Sequence, residues 1–190
     1  MRLRVADPRT DAARVAEIYR PYVEDSIISF EEVAPSAAAM AQRIAGALEL
    51  APWLVAEEEG RVIGYAYAAR HRDRAGYRWS VDLTAYVDSE FRGRGVGKAL
   101  YGALLPTLRR QRFVNAYAGI GLPNDASVAL HRSIGMSLIG VYERVGWKLG
   151  SWVDVAWYGM YLSEAARGKS APLEPIPYRL LEEIERIPKT

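Results

Sequence analysis

The sequence predicts an α/β protein with a mixed, twisted sheet of about six to seven strands flanked by helices. Three observations support this prediction: β-rich runs alternate with segments of helical periodicity, glycine and proline separate them, and 50% of the 190 residues are apolar. A chain of this length and composition can bury the core of one ordinary domain. We expect that domain over residues 1–165, followed by an extension over 166–190 to which the sequence assigns no role.

The N-terminal part alternates strand and helix signals. Leu3–Ala6 is typical of a short strand, and Thr10-Asp11 supplies the cap residues of a helix that runs to about Tyr22. A second helix is predicted over Ala37–Leu50. It ends before Pro52, because the proline ring disfavours a helical conformation at the preceding residue.

Three strands are predicted in the middle of the chain. Trp53–Glu57 and Arg61–Ala69 flank an acidic turn that contains Gly60, as in a hairpin. The third strand, Tyr77–Val87, alternates apolar and polar residues. Because successive side chains of a strand point to opposite faces, Asp82 is expected among polar neighbours on one face of an otherwise apolar strand.

The C-terminal half continues the alternation. From Gly95 onward apolar residues recur at helical spacing, although Pro106 predicts a kink or an early end of that helix. Val114–Ile120 is predicted as a strand, and a short helix follows it. Two further strands are expected at about Leu138–Arg144 and Trp152–Leu162.

Composition excludes several classes of site. Cysteine is absent, so disulfides, thiolate metal sites and a cysteine nucleophile are excluded, and we predict no metal. The N-terminus contains no apolar stretch long enough for a signal peptide or membrane span, so we expect a cytoplasmic protein without a membrane partner. Scattered Lys and Arg with a net charge of +2 predict no nucleic-acid partner. In the tail, Tyr178–Ile187 is predicted to be a short amphipathic segment.

The loop Arg92-Gly93-Arg94-Gly95-Val96-Gly97 joins a predicted strand to a predicted helix. Glycines allow a ligand to approach closely, and a helix N-terminus presents unpaired N–H groups, so this arrangement is typical of phosphate binding. A Walker A loop would need glycine at Arg92 and Ser or Thr at Ala99, and a Rossmann fingerprint would need glycine at Lys98. Neither matches. On this string alone, a turn without a ligand is an equal alternative.

The loop resembles the Arg/Gln-x-x-Gly-x-Gly/Ala signature of the GNAT acetyltransferase superfamily at Arg92, Gly95 and Gly97. Over about residues 3–163 the chain also resembles the phosphinothricin (methionine sulfoximine) N-acetyltransferases. The matching strings are Pro52-Trp53-Leu54-Val55-Ala56-Glu57, Tyr77-x-Trp79-x-Val81, Thr84-x-Tyr86-Val87, Ile120-Gly121-Leu122-Pro123-Asn124-Asp125, Leu130-His131 and Gly146-x-Lys148-x-Gly150-x-Trp152-x-Asp154. The resemblance implies a GNAT fold, acetyl-CoA as the cosubstrate, a small amine as the acceptor and a homodimer.

The resemblance also implies where the coenzyme binds. Its pyrophosphate is expected on the glycine loop and the first residue after it, which are Arg92, Gly93, Arg94, Gly95, Val96, Gly97 and Lys98. A backbone N–H of the strand that carries Ala85, Tyr86 and Val87 would polarise the thioester carbonyl. Asn124 would contact the pantetheine or pyrophosphate, although Asn124 or Asp125 fits equally well as a helix cap.

Two residues are candidates for proton transfer. An ammonium acceptor must lose a proton before it reacts, and the Asp82 carboxylate suits that role. The resembled enzymes have glutamate there, so either a water bridges the shorter side chain or Asp82 binds the amine without taking its proton. His131 stands where related enzymes keep a residue that protonates the departing thiolate. Purely structural roles are the alternative for both, and His71 is interpreted as structural.

Acceptor recognition is assigned to residues near the Asp82 strand. Arginine forks suit the anionic groups of an amino acid analogue, so Arg72 and Arg74 are candidates together with Tyr77 and Phe30. Solvated loop charges are the alternative for the arginines. The leading hypothesis is an acetyltransferase for phosphinothricin, methionine sulfoximine or a similar amino acid. The alternatives are acetylation of a protein or polyamine amine, and a coenzyme-binding module without turnover.

Overall fold

A computed structural model describes residues 1–169 and 171–181 of the chain. The helices α1 (Ala12–Glu24), α2 (Ala37–Leu50), α3 (Val96–Arg110) and α4 (Asp125–Ser133) belong to the body of the protein. Residues 178–181 are also helical. Seven strands accompany them: β1 (Arg2–Val5), β2 (Leu54–Glu58), β3 (Arg61–Arg70), β4 (Ser80–Val87), β5 (Asn115–Leu122), β6 (Ser137–Lys148) and β7 (Ser151–Tyr161). Within those ranges, none of the helices has the length and apolar character needed to cross a membrane. The amphipathic segment predicted over Tyr178–Ile187 extends beyond the described residues.

The seven strands form one mixed sheet in the order β1-β2-β3-β4-β5-β7-β6, which confirms the predicted fold class. All neighbouring pairs are antiparallel except β4 and β5, which run parallel. The parallel pairing covers only Ser80–Asp82 opposite Asn115–Tyr117. Beyond Asp82 the two strands separate, and the carboxyl half of β4 has no strand neighbour on that side.

The helices cover both faces of the sheet. Val81 and Leu83 of β4 belong to the buried cluster that includes Leu100 of α3. Tyr86 packs on the other face against Tyr19 and Tyr22 of α1, with ring centroids 4.8 and 4.7 Å apart. The alternation predicted for this strand is therefore correct, and it directs Asp82 toward the face that α1 and α2 cover.

The helix α3 continues through Pro106 to Arg110, so the early helix end predicted from the proline is wrong. An interior proline costs about 3 kcal/mol. Leu100, Leu104 and Leu108 lie on the same face of α3 and are fully buried. Each such leucine stabilises the fold by about 1.5–3 kcal/mol, so packing outweighs the local penalty.

The strand β6 is longer than predicted and forms a tight hairpin with β7. The strands predicted at about Leu138–Arg144 and Trp152–Leu162 leave residues 145–151 between them. Instead, only Leu149 and Gly150 connect the strands, with φ of 49° and 76°. Two successive positive φ values are typical of the two-residue hairpin turn that matches the natural strand twist.

The tail returns to the body of the protein before the described residues end. The indole N–H of Trp79 donates to Leu173 O, and Arg78 forms a two-point ion pair with Glu174. Gln111 donates to Ile176 O at 2.9 Å. These contacts attach the beginning of the predicted extension to the domain, while the boundary at residue 165 stays a prediction.

Candidate active site

A cavity of about 480 Å³ opens where β4 and β5 separate, between the N-termini of α3 and α4. All but one of the predicted coenzyme residues line it: Ala85, Tyr86, Val87, Arg92, Gly93, Gly95, Val96, Gly97, Lys98 and Asn124. Arg94 is the exception. Its guanidinium lies 4.8 Å from the centre of the Phe91 ring. The structure therefore brings together the residues that the sequence assigned to one ligand.

The glycines of the loop serve two different purposes. Gly93 and Gly95 have φ of 74° and 77°, a conformation that other residues rarely adopt. Gly95 is also the N-cap of α3, so the turn presents the first N–H groups of the helix to the cavity. Gly97 is a packing residue, because a Cβ there would lie 2.9 Å from Leu130 Cδ2 of α4.

Backbone N–H groups of β4 point into the opening between the strands. The N–H of Asp88 donates to Ile63 O of β3. Because consecutive residues of a strand alternate sides, the N–H groups of Ala85 and Val87 point away from β3, toward the position that β5 has left. The Val87 N–H donates to the Tyr22 hydroxyl at 3.4 Å. The Ala85 N–H therefore provides a hydrogen-bond donor at a fixed place inside the cavity.

Tyr22 of α1 enters the same cavity and was not identified from the sequence. Its hydroxyl donates to Val87 O at 2.5 Å and accepts from Arg92 Nε at 3.3 Å. The Arg92 guanidinium lies 4.9 Å from the centre of the Tyr22 ring. No local sequence pattern marks Tyr22, which has the helical spacing of an ordinary core residue. Arg92, Lys98 and the start of α3 together make the cavity suitable for an anion.

Asn124 caps α4, which confirms the alternative reading of this residue. Its side chain accepts a hydrogen bond from the Ser127 N–H at 3.1 Å. It also lines the cavity, so one side chain can cap the helix and face a ligand. Its contact with the coenzyme stays a prediction.

His131 is buried beside the inner end of the cavity, in a smaller space of about 80 Å³ that Thr84 and Tyr86 also line. Its Nδ1 donates to Ser127 O at 2.8 Å, since a carbonyl can only accept. Nε2 therefore accepts from the Tyr101 hydroxyl at 3.1 Å. Burial lowers the pKa of His131 and favours this neutral form. The geometry suits a scaffold residue, and the proton-donor role stays a prediction.

Asp82 is the last β4 residue paired with β5, and it binds His71. The two side chains approach to 2.6 Å between Asp82 Oδ1 and His71 Nδ1. Burial raises the pKa of Asp82, and the hydrogen bond from His71 opposes that change. Sequence reasoning gave His71 no role beyond structure. The alternation along β3 could have identified it. Ala69 pairs directly with Asp82, and residue 71, two positions further along the chain, is expected on the same face of the sheet.

Aromatic side chains surround the Asp82–His71 pair. The His71 ring lies 4.6 Å from Tyr117 of β5, 5.9 Å from Tyr77 and 6.0 Å from Trp157 of β7, between centroids. The Arg72 guanidinium lies 5.7 Å from the Trp157 ring and donates to His71 O. Two of the predicted acceptor residues, Arg72 and Tyr77, therefore lie beside this pair.

The other two predicted acceptor residues lie elsewhere. Arg74 is exposed and lines, with Arg72 and Tyr77, a cleft of about 20 Å³, which is too small for an amino acid. Phe30 packs over Gly146 of β6, whose missing side chain leaves room for the ring. The structure brings neither residue into contact with Asp82.

Lys148 holds the loop that carries Phe30. Its buried ammonium donates to Val23 O at 2.6 Å, to Glu31 O at 2.8 Å and to Ser29 O. These acceptors lie more than 100 residues away in sequence, so no local pattern indicated them. One side chain thus closes the connection between α1 and α2 against the end of β6.

Replacing Lys148 with methionine should lower the free energy of unfolding by about 3 kcal/mol. Methionine keeps most of the apolar stem but leaves three carbonyls without their donor, and each buried unpaired group costs about 1–3 kcal/mol. Denaturant unfolding followed by circular dichroism measures the change. Lys169→Met, at an exposed lysine, is the matched control and should change stability by less than about 0.5 kcal/mol. Equal stability of the two variants would contradict the role of Lys148.

Comparisons with known proteins agree with this geometry. A family model described as an acetyltransferase (GNAT) domain matches residues 4–157. The chain is 35% identical over 174 residues to a phosphinothricin N-acetyltransferase of Streptomyces viridochromogenes. The alignment covers 92% of this chain and 91% of that protein. It is also 34% identical over 167 residues to an L-methionine sulfoximine/L-methionine sulfone acetyltransferase of Salmonella typhimurium. That alignment covers 87% of this chain and 97% of the other protein.

A solved structure extends the similarity to three dimensions. A GNAT superfamily phosphinothricin acetyltransferase from Sinorhizobium meliloti, crystallised in complex with AcCoA, aligns with a TM-score of 0.85 at 38% sequence identity. The alignment covers 95% of this chain and 97% of that protein. The similar region therefore includes the cavity, the glycine loop and the Asp82–His71 pair. Among the described residues, no cluster of His, Asp and Glu is arranged to hold a metal ion.

Proposed function

Because the chain belongs to the GNAT acetyltransferase family, we propose that this N-acetyltransferase transfers the acetyl group of acetyl-CoA to the amine of a small amino acid analogue, such as phosphinothricin or methionine sulfoximine. The observation that carries the proposal is the position of Asp82. It is the last residue of β4 that pairs with β5, so its carboxylate stands where the opening between the two strands begins.

The cavity fits the coenzyme in shape and charge. Gly93 and Gly95 leave open space where side chains would project, and the N-terminus of α3 offers N–H groups to a pyrophosphate. Arg92 and Lys98 add positive charge. The family and its AcCoA-bound relative support acetyl-CoA as the cosubstrate, which supplies the acetyl group as a thioester.

The part of β4 beyond Asp82 would supply the hydrogen bond that polarises the thioester carbonyl. The Ala85 N–H points into the opening between β4 and β5. Because it is a backbone group, the strand fixes its direction without any side-chain movement. Such a preorganised donor stabilises the negative charge that develops on a carbonyl oxygen when an amine attacks. Tyr22 bonds the neighbouring Val87 and keeps this part of the strand in place.

Candidate groups for proton transfer lie on both sides of the sheet. The acceptor nitrogen loses one proton before attack and a second as the amide forms. Asp82 and its partner lie on the face covered by α1 and α2, where the first proton would be taken. His131 lies on the α3 face with Tyr101. As a donor to the thiolate, the neutral His131 would have to acquire the second proton within the same turnover.

Acceptor recognition is proposed at Arg72 and Tyr77. Arg72 is the cation nearest to the Asp82–His71 pair and suits the carboxylate of an amino acid. Tyr77 lies against the His71 ring. For Arg74 and Phe30 the proposal rests on the sequence argument alone, since neither touches this group of residues.

A coenzyme-release assay tests the function. Free CoA is measured while purified protein is incubated with acetyl-CoA and one amine from a panel of methionine sulfoximine, phosphinothricin, spermidine and a basic peptide. We expect turnover with the first two amines and at most a tenth of that rate with the others. Preferential turnover of the peptide or spermidine would contradict the proposed acceptor, and binding of acetyl-CoA without any turnover would contradict the activity.

A homodimer is proposed through β6, the strand at one edge of the sheet. Large apolar side chains are exposed along it: Leu138, Ile139, Val141, Tyr142, Val145 and Trp147. An edge strand that carries such a patch is normally covered. A second copy offers the same strand, and pairing the two about a twofold axis gives a closed assembly.

Replacing Val141 with glutamate should weaken this dimer at least about tenfold. An unpaired carboxylate buried at the interface costs more than about 1.4 kcal/mol, which corresponds to that factor. Light scattering after size exclusion over a concentration series measures the dissociation. Val33→Glu is the matched control, because Val33 is 80% exposed in the loop between α1 and α2. A monomeric parent protein, or a Val141→Glu protein that dissociates like the control, would contradict the interface.

A further inference from the structure

The imidazole of His71 lies over one face of the sheet, beside Asp82. Its backbone belongs to the end of β3, where its N–H donates to Ser80 O of β4. Its ring reaches Asp82 on β4 and lies closest to Tyr117 on β5. The ring therefore spans the strands at the level where the β4–β5 pairing ends, so it stands at the same level as the Asp82 carboxylate.

One nitrogen of this ring is engaged and the other is available. Nδ1 bonds Asp82 at 2.6 Å, whereas no described residue forms a hydrogen bond with Nε2. The His71 side chain is 15% exposed, so the ring is held by its neighbours yet reachable. When a carboxylate accepts the Nδ1 proton, a neutral imidazole presents the lone pair of Nε2 as a proton acceptor.

We propose that His71 Nε2 receives the proton of the acceptor ammonium and that Asp82 orients the ring as a positioning residue, an inference that rests on the proposed function. An N–H bond of the ammonium breaks and an Nε2–H bond forms, so the acceptor becomes a neutral amine. Its lone pair forms the bond to the acetyl carbon. The carbon–sulfur bond then breaks, and the sulfur leaves with that electron pair and takes the proton that nitrogen loses as the amide forms. The proton on Nε2 returns to solvent.

The surroundings of His71 favour this route. The cation formed on the ring is paired directly with the Asp82 carboxylate. Tyr77, Tyr117 and Trp157 enclose the ring with aromatic surface, which is compatible with a cation. The other charged group that faces this site is Arg72, whose guanidinium stands over Trp157 and favours an anionic substrate group beside the base.

Nitrogen NMR of the histidine rings tests the pair without measuring activity. The chain contains two histidines, so a His131→Gln variant assigns both signals. We expect neutral His71 to carry its proton on Nδ1. A neutral ring protonated on Nε2 would overturn the proposal, because Asp82 would then hold the shared proton and no lone pair would face the substrate.

Kinetics with methionine sulfoximine give the second test. His71→Asn keeps a donor toward Asp82 but lacks the distal nitrogen, and it should lower kcat by at least about 1000-fold. The acid limb of the pH profile of kcat should disappear, while acetyl-CoA affinity stays within about twofold of the parent protein. In Asp82→Asn the acid limb should persist, because the His71 ring is still present. A His71→Asn protein with the parent kcat and an unchanged acid limb would overturn the proposal.

Two controls separate the possible failures. Asp73→Asn changes an exposed acid in the same loop and should leave kcat unchanged. His71→Gln repeats the test with a different side chain, and retained acetyl-CoA binding shows that either variant is folded. If the parent protein acetylates no amine, the proposed function fails, and the NMR measurement alone then decides the protonation of the His71–Asp82 pair.

Discussion

Replacing Gly95 with valine should raise the Kd for acetyl-CoA by about 100-fold. Gly95 has φ of 77° and is the residue from which α3 begins. A β-branched residue in that conformation costs about 1–3 kcal/mol, so the turn would change rather than absorb the strain. Losing one charge-assisted hydrogen bond to a pyrophosphate costs about 1.5–3 kcal/mol. A combined loss of about 3 kcal/mol corresponds to the predicted factor.

Calorimetric titration of acetyl-CoA measures this loss. Gly60→Val is the matched control, because Gly60 has φ of 79° in the turn between β2 and β3 and also has open space around it. The control carries the same backbone strain away from the cavity, so its stability should fall while its acetyl-CoA affinity is unchanged. If the Gly95 variant binds acetyl-CoA as tightly as the control does, the pyrophosphate site is not at this loop.

Replacing Asp82 with asparagine should lower kcat by about 1000-fold and leave acetyl-CoA affinity nearly intact. Asparagine keeps the shape of the side chain, so the packing of β4 is retained, but the negative charge is lost. Its amide can also turn its NH₂ group toward His71 Nδ1 and stabilise the wrong form of the ring. Positioned acid–base groups contribute about 100- to 10,000-fold to a rate, and the predicted loss lies within that range.

Asp82 lines neither of the cavities that contain the predicted coenzyme residues, which is why binding and turnover should separate. Steady-state kinetics with methionine sulfoximine, together with calorimetric titration of acetyl-CoA, measure the two quantities in the same variant. Asp73→Asn serves again as the control at an exposed acid. A fully active Asp82→Asn protein would show that the carboxylate has no part in proton transfer.

The two groups proposed to transfer protons lie on opposite faces of the sheet. Asp82 and His71 lie on the face that α1 and α2 cover, and His131 lies with Tyr101 on the α3 face. A complete sheet would separate them. The early end of the β4–β5 pairing removes that barrier, so an acceptor from one face can meet a thioester that binds from the other.

Local patterns predicted much of the fold and indicated residues that the structure brings together around one cavity. The alternation of β4 predicted correctly which side chains point to each face, and the glycine loop is continuous in sequence. Both depend on neighbouring residues, whose geometry the backbone fixes directly. At Pro106 the sequence left open a kink or an early end of α3, and it could not decide between them because the continuation depends on the burial of leucines against other elements.

The rest of the site depends on residues distant in sequence. Tyr22 meets Arg92 across 70 positions, and Lys148 reaches the α1–α2 loop across more than 100. His71 was interpreted as structural because its pairing with Asp82 follows from the register of two strands rather than from a motif. Phe30 was assigned to the acceptor because its loop could close the pocket, but the space above Gly146 decides its position.

The identity of the reaction product tests the central claim most directly. The parent protein is incubated with acetyl-CoA and methionine sulfoximine, and mass spectrometry identifies every product. The structure leads us to expect methionine sulfoximine acetylated on its amine, together with an equal amount of free CoA. Free CoA accompanied only by acetate, or acetyl-CoA that stays intact in the presence of the amine, would contradict this account.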